Sequence, residues 1–289
     1  MPEHQSATGP IGVFDSGYGG LTILRSLASR LPQYDFLYLG DNARAPYGNR
    51  SFELVYRFTL QAVRELFSRG CRMVILACNT ASAKALRSIQ QHDLPLIDPS
   101  RRVLGVIRPT VEVIPSLTAT GHVGVMGTQG TVASHSYRME LNKVSGEIRV
   151  TEKSCPMWVP LVENGEAEGP GADYFVEKYC GELIESDPDI DTVILACTHY
   201  PLLLNKIRKA MPEHVKILPQ GDLVGESLAD YLRRHPEMEI RCRKQTAAED
   251  SAARGSIEYL TTENPEKFNP LASMFMGTAV VATGITLEG

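Results

Sequence analysis

The pentapeptide VILAC occurs twice in this chain, at 74–78 and again at 193–197. Its four leading residues are all apolar and leave no polar face. Each run therefore suits a strand covered on both sides, as in a parallel sheet flanked by helices. The cysteine and the polar residue after it then stand at the carboxyl end of the strand. A second pair of segments repeats in the same order. IGVFDSGYGG at 11–20 resembles VGVMGTQGTV at 123–132, an apolar strand followed by a glycine-rich turn. Two features recurring in one order at nearly equal spacing predict two related α/β halves.

The rest of the chain keeps this rhythm. Short apolar runs at 11–14, 36–39, 73–77, 122–126, 192–196 and 215–218 read as buried strands. Between them, 21–31, 51–69, 81–91, 132–141, 172–185 and 202–211 carry apolar residues at helical spacing. Leu21, Leu24, Leu27 and Leu31 share one helical face, and Gly70 is placed to end the helix before it. The fold class that follows is α/β, with two pseudo-symmetric parallel-sheet domains, helices on both faces and a site in the cleft between them. Turn-rich crossings at 98–101 and 219–222 divide the 289 residues. The expected division is 1–102 plus 220–289 for a discontinuous first domain and 103–219 for the second. A strand pattern at 256–260 is expected to return to the first domain, and the polar stretch 240–255 to form a loop.

Composition narrows the function. With 43 % hydrophobic and 22 % charged residues, the chain has ordinary globular character. A net charge of −5 without a basic block argues against nucleic acid as a partner. No apolar run reaches the ~18 residues of a membrane span, and the first residues lack an apolar signal core, so a cytoplasmic protein is expected. Of the six cysteines, none forms a Cys-x-x-Cys pair and no histidine pair has zinc-finger spacing, so no metal site is expected.

The polar residues gather where an open α/β sheet binds ligands, beyond the carboxyl ends of its strands. Asp15-Ser16, Gly40-Asp41, Cys78-Asn79-Thr80, Thr128 and Cys197-Thr198-His199 all follow strands. If the two halves face each other, Cys78 and Cys197 meet across one cleft. Two acid/base groups on opposite faces of a carbon can invert it, one taking a proton and the other returning one. Thiols suit this work, since a free thiol titrates near pH ~8.5 and a helix N-terminus, expected at the strand-to-helix turn of both cysteines, lowers that value. His199 lies beside Cys197, and Asp15 is expected near Cys78. A lone cysteine at a strand end is more often an inert core residue. The repetition in matching polar contexts favours function for this pair, while Cys71, Cys155, Cys180 and Cys242 stay structural. The glycines of DSGYGG lack dinucleotide-loop spacing and are read as a tight turn whose N–H groups could hold a carboxylate.

FDSGYGG, YLGDNARAPYG, ACNTAS, GTQGT, WVPLVENG, ACTHYPLL and the tail run YLTTENPEKF, taken in order, resemble the cofactor-independent glutamate racemases over nearly the whole chain. The resemblance implies interconversion of L- and D-glutamate for peptidoglycan synthesis, no cofactor or metal, and a homodimer. It implies that Cys78 takes the proton of D-glutamate and Cys197 that of L-glutamate. Asp15 and His199 would assist them, with Glu163 in support. Asp15, Ser16, Tyr47, Gly48, Asn79, Thr80, Thr198 and His199 match the substrate-contacting positions, and Asp41 matches an acidic position of lower rank. The chain departs in about ten residues before the first strand, in Gly169-Pro170-Gly171, and in 240–255. Two alternatives stay open: an aspartate or related amino-acid racemase, and a non-catalytic regulatory binding protein. A single-thiol decarboxylase of the same superfamily would not need the second cysteine.

Overall fold

A computed structural model describes residues 8–242 and 254–287. The chain starts with β1 (Ile11–Asp15), α1 (Gly20–Arg30), β2 (Phe36–Gly40), α2 (Phe52–Ser68) and β3 (Met73–Leu76). Next come α3 (Asn79–Lys84), α4 (Leu86–Ser88), a π-helical turn (Ile89–Asp93), α5 (Leu94–Ile97) and β4 (Arg102–Gly105). The middle of the chain forms α6 (Ile107–Leu117), β5 (His122–Gly127), α7 (Gln129–Ala133), α8 (Ser136–Val144), β6 (Arg149–Ser154), α9 (Trp158–Glu163) and α10 (Pro170–Ser186). It continues through β7 (Thr192–Ala196), a 3-10 turn (Tyr200–Leu203), α11 (Leu204–Ala210) and β8 (Lys216–Leu218). The tail adds α12 (Gly221–Arg234), α13 (Pro236–Cys242), β9 (Ile257–Thr261), α14 (Pro265–Met276) and β10 (Ala282–Gly284).

The strands form two parallel sheets, ordered β10-β9-β2-β1-β3-β4 and β6-β5-β7-β8. The repeat seen in the sequence is thus a repeat of topology. In each sheet the second strand lies beside the first, then the third, then the fourth. The two VILAC strands, β3 and β7, hold the same place in their sheets, next to β1 and β5. The chain leaves the first sheet after Gly105, beyond the expected crossing at 102, because β4 pairs with β3. It comes back after Leu218, and β9 joins β2.

Packing explains which elements the sequence announced. β1, β2, β3 and β7 are buried at every position, as strands sandwiched between helices must be. α2 turns Val55, Ala62, Val63, Leu66 and Phe67 inward, and each of these except the alanine contributes about 1.5–3 kcal/mol by burial. Ser51 caps its start by accepting from Leu54 N at 3.3 Å, and Gly70 at φ +93° ends it. Three strands were not expected. β4 and β6 are edge strands whose Arg102, Arg149, Glu152 and Lys153 dilute the apolar signal, and β10 has only three residues. The single helix expected at 81–91 is a chain of short helices reaching Ile97. The one expected at 132–141 is broken between α7 and α8, where His135 takes a left-handed conformation at φ 51°. Within the loop expected at 240–255, residues 240–242 instead finish α13, and 243–253 lie outside the described residues. Among the described residues no helix is long and apolar enough to cross a membrane.

Candidate active site

Register brings the polar strand ends together. Phe14 sits opposite Leu76, and Ala77 N donates to Phe14 O at 2.8 Å, so Asp15-Ser16 leaves β1 beside Cys78. In the second sheet Gly127 sits opposite Ala196, which sets Thr128 beside Cys197. A cavity of about 360 Å³ lies between these ends, and both Cys78 and Cys197, each 6 % exposed, line it.

Cys78 caps α3 and accepts from Ala81 N at 3.5 Å, while Ser16 Oγ lies 3.4 Å from its Sγ. Burial, reinforced by the nearby Asp15 carboxylate, pushes this thiol up to about 12. The Ser16 and Ala81 hydrogen bonds pull the other way and are outweighed. The lowering expected from a helix N-terminus is therefore not realised at Cys78: a six-residue helix offers one long N–H contact, which does not offset full desolvation. Asp15 is itself raised, chiefly by burial, against the lowering pull of His199 and the N–H groups of Gly17 and Gly20. Its Oδ1 accepts from Gly17 N at 2.9 Å and its Oδ2 has no hydrogen-bond partner among the described residues. The Gly17 N–H expected to hold a carboxylate thus holds that of Asp15.

Cys197 is not a helix cap as the sequence suggested. A turn and the 3-10 segment Tyr200–Leu203 follow it. Its partner is His199, whose Nδ1 lies 3.9 Å from Cys197 Sγ and whose Nε2 lies 2.8 Å from Glu163 Oε1. Burial alone would depress the imidazole, but the hydrogen bonds to Cys197 and Glu163 outweigh it and hold His199 at about 10. Phe275 of α14 stacks edge-on against the ring at 5.4 Å. Gly19 makes room for it, since a Cβ there would lie 2.5 Å from His199 Nδ1. That close approach is a second use for the DSGYGG glycines. The two thiols thus have opposite surroundings, with an imidazolium beside Cys197 and a carboxylate behind Cys78.

The loop 45–49 closes one end of the cavity. Fully buried Asp41 organises it by accepting from Tyr47 OH, from Arg44 Nε at 2.7 Å and from Thr262 Oγ1 at 2.9 Å. Across the rim, Gly130 N donates to Gly48 O at 2.7 Å and the Thr80 and Thr128 hydroxyls meet at 2.9 Å. Thr22 Oγ1 donates to Thr198 O at 3.0 Å.

Of the residues singled out from the sequence, Ser16, Tyr47, Gly48, Cys78, Asn79, Thr80, Glu163, Cys197, Thr198 and His199 all line this cavity. Asp15 does not; it is buried behind the wall. Asp41 also lies behind it, as a support for the loop. The wall holds Cys155 and Asn164, which no sequence signal singles out, and Thr128, which its strand-end position marked. One group of metal-type side chains outside the cavity, His122, Asp187 and Asp189, lies at the opposite, amino end of β5 and β7. There His122 and Thr151 already bond Asp187.

Residues 19–221 match the family model described as Asp/Glu/hydantoin racemase. A glutamate racemase of Ruegeria sp. (strain TM1040) is 38 % identical over 276 residues, covering 92 % of this chain and 96 % of that protein. One from Persephonella marina is 44 % identical over 225 residues, covering 78 % and 81 %. Among solved structures, a Bacillus anthracis glutamate racemase isoform superposes with a TM-score of 0.86 at 31 % identity, covering 98 % of this chain and 99 % of that one. The Francisella tularensis glutamate racemase in complex with D-glutamate gives 0.83 at 31 % identity, covering 96 % and 98 %.

Proposed function

This chain belongs to the Asp/Glu/hydantoin racemase family, among the glutamate racemases, and on that premise we propose that it interconverts L- and D-glutamate by a two-base reaction between Cys197 and Cys78. The observation that carries this reading is that both buried thiols, from equivalent strands of the two sheets, line one cavity.

Glutamate binds with its carboxylates held by Ser16, Asn79, Thr80 and Thr198, and the loop carrying Tyr47 and Gly48 closes over one end. With L-glutamate, Cys197 removes the α-proton and Cys78 delivers its own to the opposite face. With D-glutamate the roles exchange. The α-carboxylate delocalises the carbanion poorly, so fixed donors in a water-poor cleft must stabilise it. A thiolate at Cys197 has the His199 imidazolium as its counter-ion, and Glu163 keeps that ring oriented and charged. A thiolate at Cys78 has no such partner. Asp15, buried behind it with a raised pKa, is placed to exchange a proton and relieve the like-charge repulsion. The two sheets part to admit substrate and close on it. We place the enzyme in the cytoplasm as a homodimer that feeds D-glutamate to peptidoglycan synthesis and needs no cofactor.

The test is an assay of both enantiomers of glutamate and aspartate with protein dialysed against a metal chelator and with no cofactor added. Glutamate turning over in both directions, with aspartate at least tenfold slower, is the expected result. Aspartate preferred over glutamate would move the assignment to the sister activity, and inactivity toward both would favour a binding protein.

A further inference from the structure

Asn79 follows Cys78 and lines the cavity, yet most of its amide is engaged on the far side, in a ring of three buried groups. Tyr137 OH donates to Asn79 Oδ1 at 2.6 Å, Asn79 Nδ2 donates to Gln220 Oε1 at 2.6 Å, and Gln220 Nε2 donates to Tyr137 Oη at 2.7 Å. The three side chains are at most 3 % exposed. Each donates once and accepts once around the ring, so on its own the ring would be equally satisfied with both amides flipped and every bond reversed.

Two further contacts remove that ambiguity. Gln220 Nε2 also lies 3.3 Å from Val106 O and 2.8 Å from Thr110 Oγ1. A carbonyl oxygen only accepts. The Thr110 hydroxyl already gives its proton to Val106 O at 2.9 Å, so toward Gln220 it too accepts. A flipped Gln220 would press its own oxygen against the Val106 carbonyl and make the Thr110 hydroxyl give up its bond to that carbonyl. Its nitrogen must therefore face them, which fixes its oxygen toward Asn79 and the Asn79 nitrogen toward Gln220. The second N–H of that nitrogen then takes no part in the ring, and it is a donor. The members come from both sides of the cleft and both crossings. Asn79 follows β3, Tyr137 is on α8, Val106 follows β4, and Gln220 follows β8.

We propose that Gln220 and Tyr137 are positioning residues that lock the Asn79 amide with its N–H toward the cavity, so that the site reads a substrate carboxylate at that point. Their effect runs entirely through Asn79. This rests on the reading above that Asn79 contacts the substrate, and it adds what orients that contact. Cooperative rings of this kind hold their polarity because reversing one bond reverses all of them.

The experiment is a double-mutant cycle on steady-state racemisation, using Asn79→Ala, Gln220→Leu, the pair combined, and Tyr137→Phe as the variant that removes a single oxygen. Thermal melts confirm that each is folded. Asn79→Ala and Gln220→Leu are each expected to raise KM for both enantiomers roughly ten- to hundredfold, the loss of one charge-assisted hydrogen bond, with kcat within about threefold. The combined variant should be no worse than Asn79→Ala alone, since Gln220 has nothing left to act through. Tyr137→Phe should raise KM in the same sense. Additive losses, or a fall in kcat at constant KM, would overturn the proposal and make the ring merely structural. Gln220→Leu and Tyr137→Phe both leaving KM unchanged while Asn79→Ala raises it would overturn the positioning role alone. An unchanged KM in Asn79→Ala would remove the substrate contact itself, a result distinct from either.

Discussion

Replacing Glu163 by Gln isolates the charge on His199. The amide keeps the size of the side chain and an oxygen that can accept from His199 Nε2 at 2.8 Å, so orientation survives while the negative charge is lost. His199 stands at about 10 because the hydrogen bonds to Cys197 and Glu163 outweigh its burial. Removing an adjacent opposite charge lowers such a value by roughly 1–3 units, or about 1.4–4 kcal/mol of preference for the imidazolium. The imidazole of the variant should then titrate at roughly 7–9. Enantiomers have equal free energy, so the profile of kcat/KM against pH must be the same for L- and D-glutamate. Its alkaline limb should move toward acid by the same 1–3 units in both directions, with little change near pH 6. Stability provides a second readout. Because the folded value lies above the unfolded value of ~6.5, protonation of His199 stabilises the fold fully below pH ~6.5 and stops doing so as the pH rises through 10. The difference in Tm between parent and variant should thus be largest near pH ~6 and shrink toward pH ~10. An alkaline limb that stays in place, with a Tm difference independent of pH, would refute the idea that Glu163 sets the charge on His199.

Three further outcomes follow from the structure. Cys78→Ser should lower racemisation of both enantiomers by at least about 10²–10⁴-fold, the usual contribution of a positioned acid/base group, while one-sided elimination from a glutamate analogue with a leaving group persists through Cys197. Asp41→Asn should weaken the loop that carries Tyr47 and Gly48, costing about 1–3 kcal/mol in a denaturant melt and raising KM more than it lowers kcat. Asp191, held at about 2 by hydrogen bonds from Thr118, Ala119, Thr120 and Thr192 that outweigh its burial, stabilises the fold above pH ~3.9 and ceases to as the pH falls through 2. Melts of Asp191→Ala and parent should therefore differ at pH 6 and converge toward pH 2.

The sequence revealed those elements whose burial is complete. The four-residue apolar core of VILAC marks a strand buried on both faces, and its repetition marks the repeated topology. β6 was illegible for the opposite reason, since an edge strand reading RVTEKS carries charge where it meets solvent. No local propensity announces the break at His135, whose ring lies 2.8 Å from Glu152. Within the site, Cys78, Cys197 and their polar neighbours could be chosen from position at strand ends. Glu163 could be chosen only from resemblance, because its tie to His199 joins different elements. Gln220 looked like a turn residue, and its bonds to Asn79 and Tyr137 span 141 and 83 positions. The expectation of an acidified thiol at Cys78 failed because sequence shows the helix start but not how completely the sulfur is desolvated.

The most direct measurement of two-thiol racemisation is to start from protonated L-glutamate in D₂O, with no added cofactor, and to follow the α-position of both enantiomers by NMR and mass spectrometry at early times. Two opposed bases predict deuterium in the D-glutamate formed from the first turnovers, delivered by Cys78, while the remaining L-glutamate stays protonated. Deuterium entering recovered L-glutamate as fast as it enters the product would mean that one group serves both faces, and inversion without deuterium uptake would mean that the proton never passes to an exchangeable thiol.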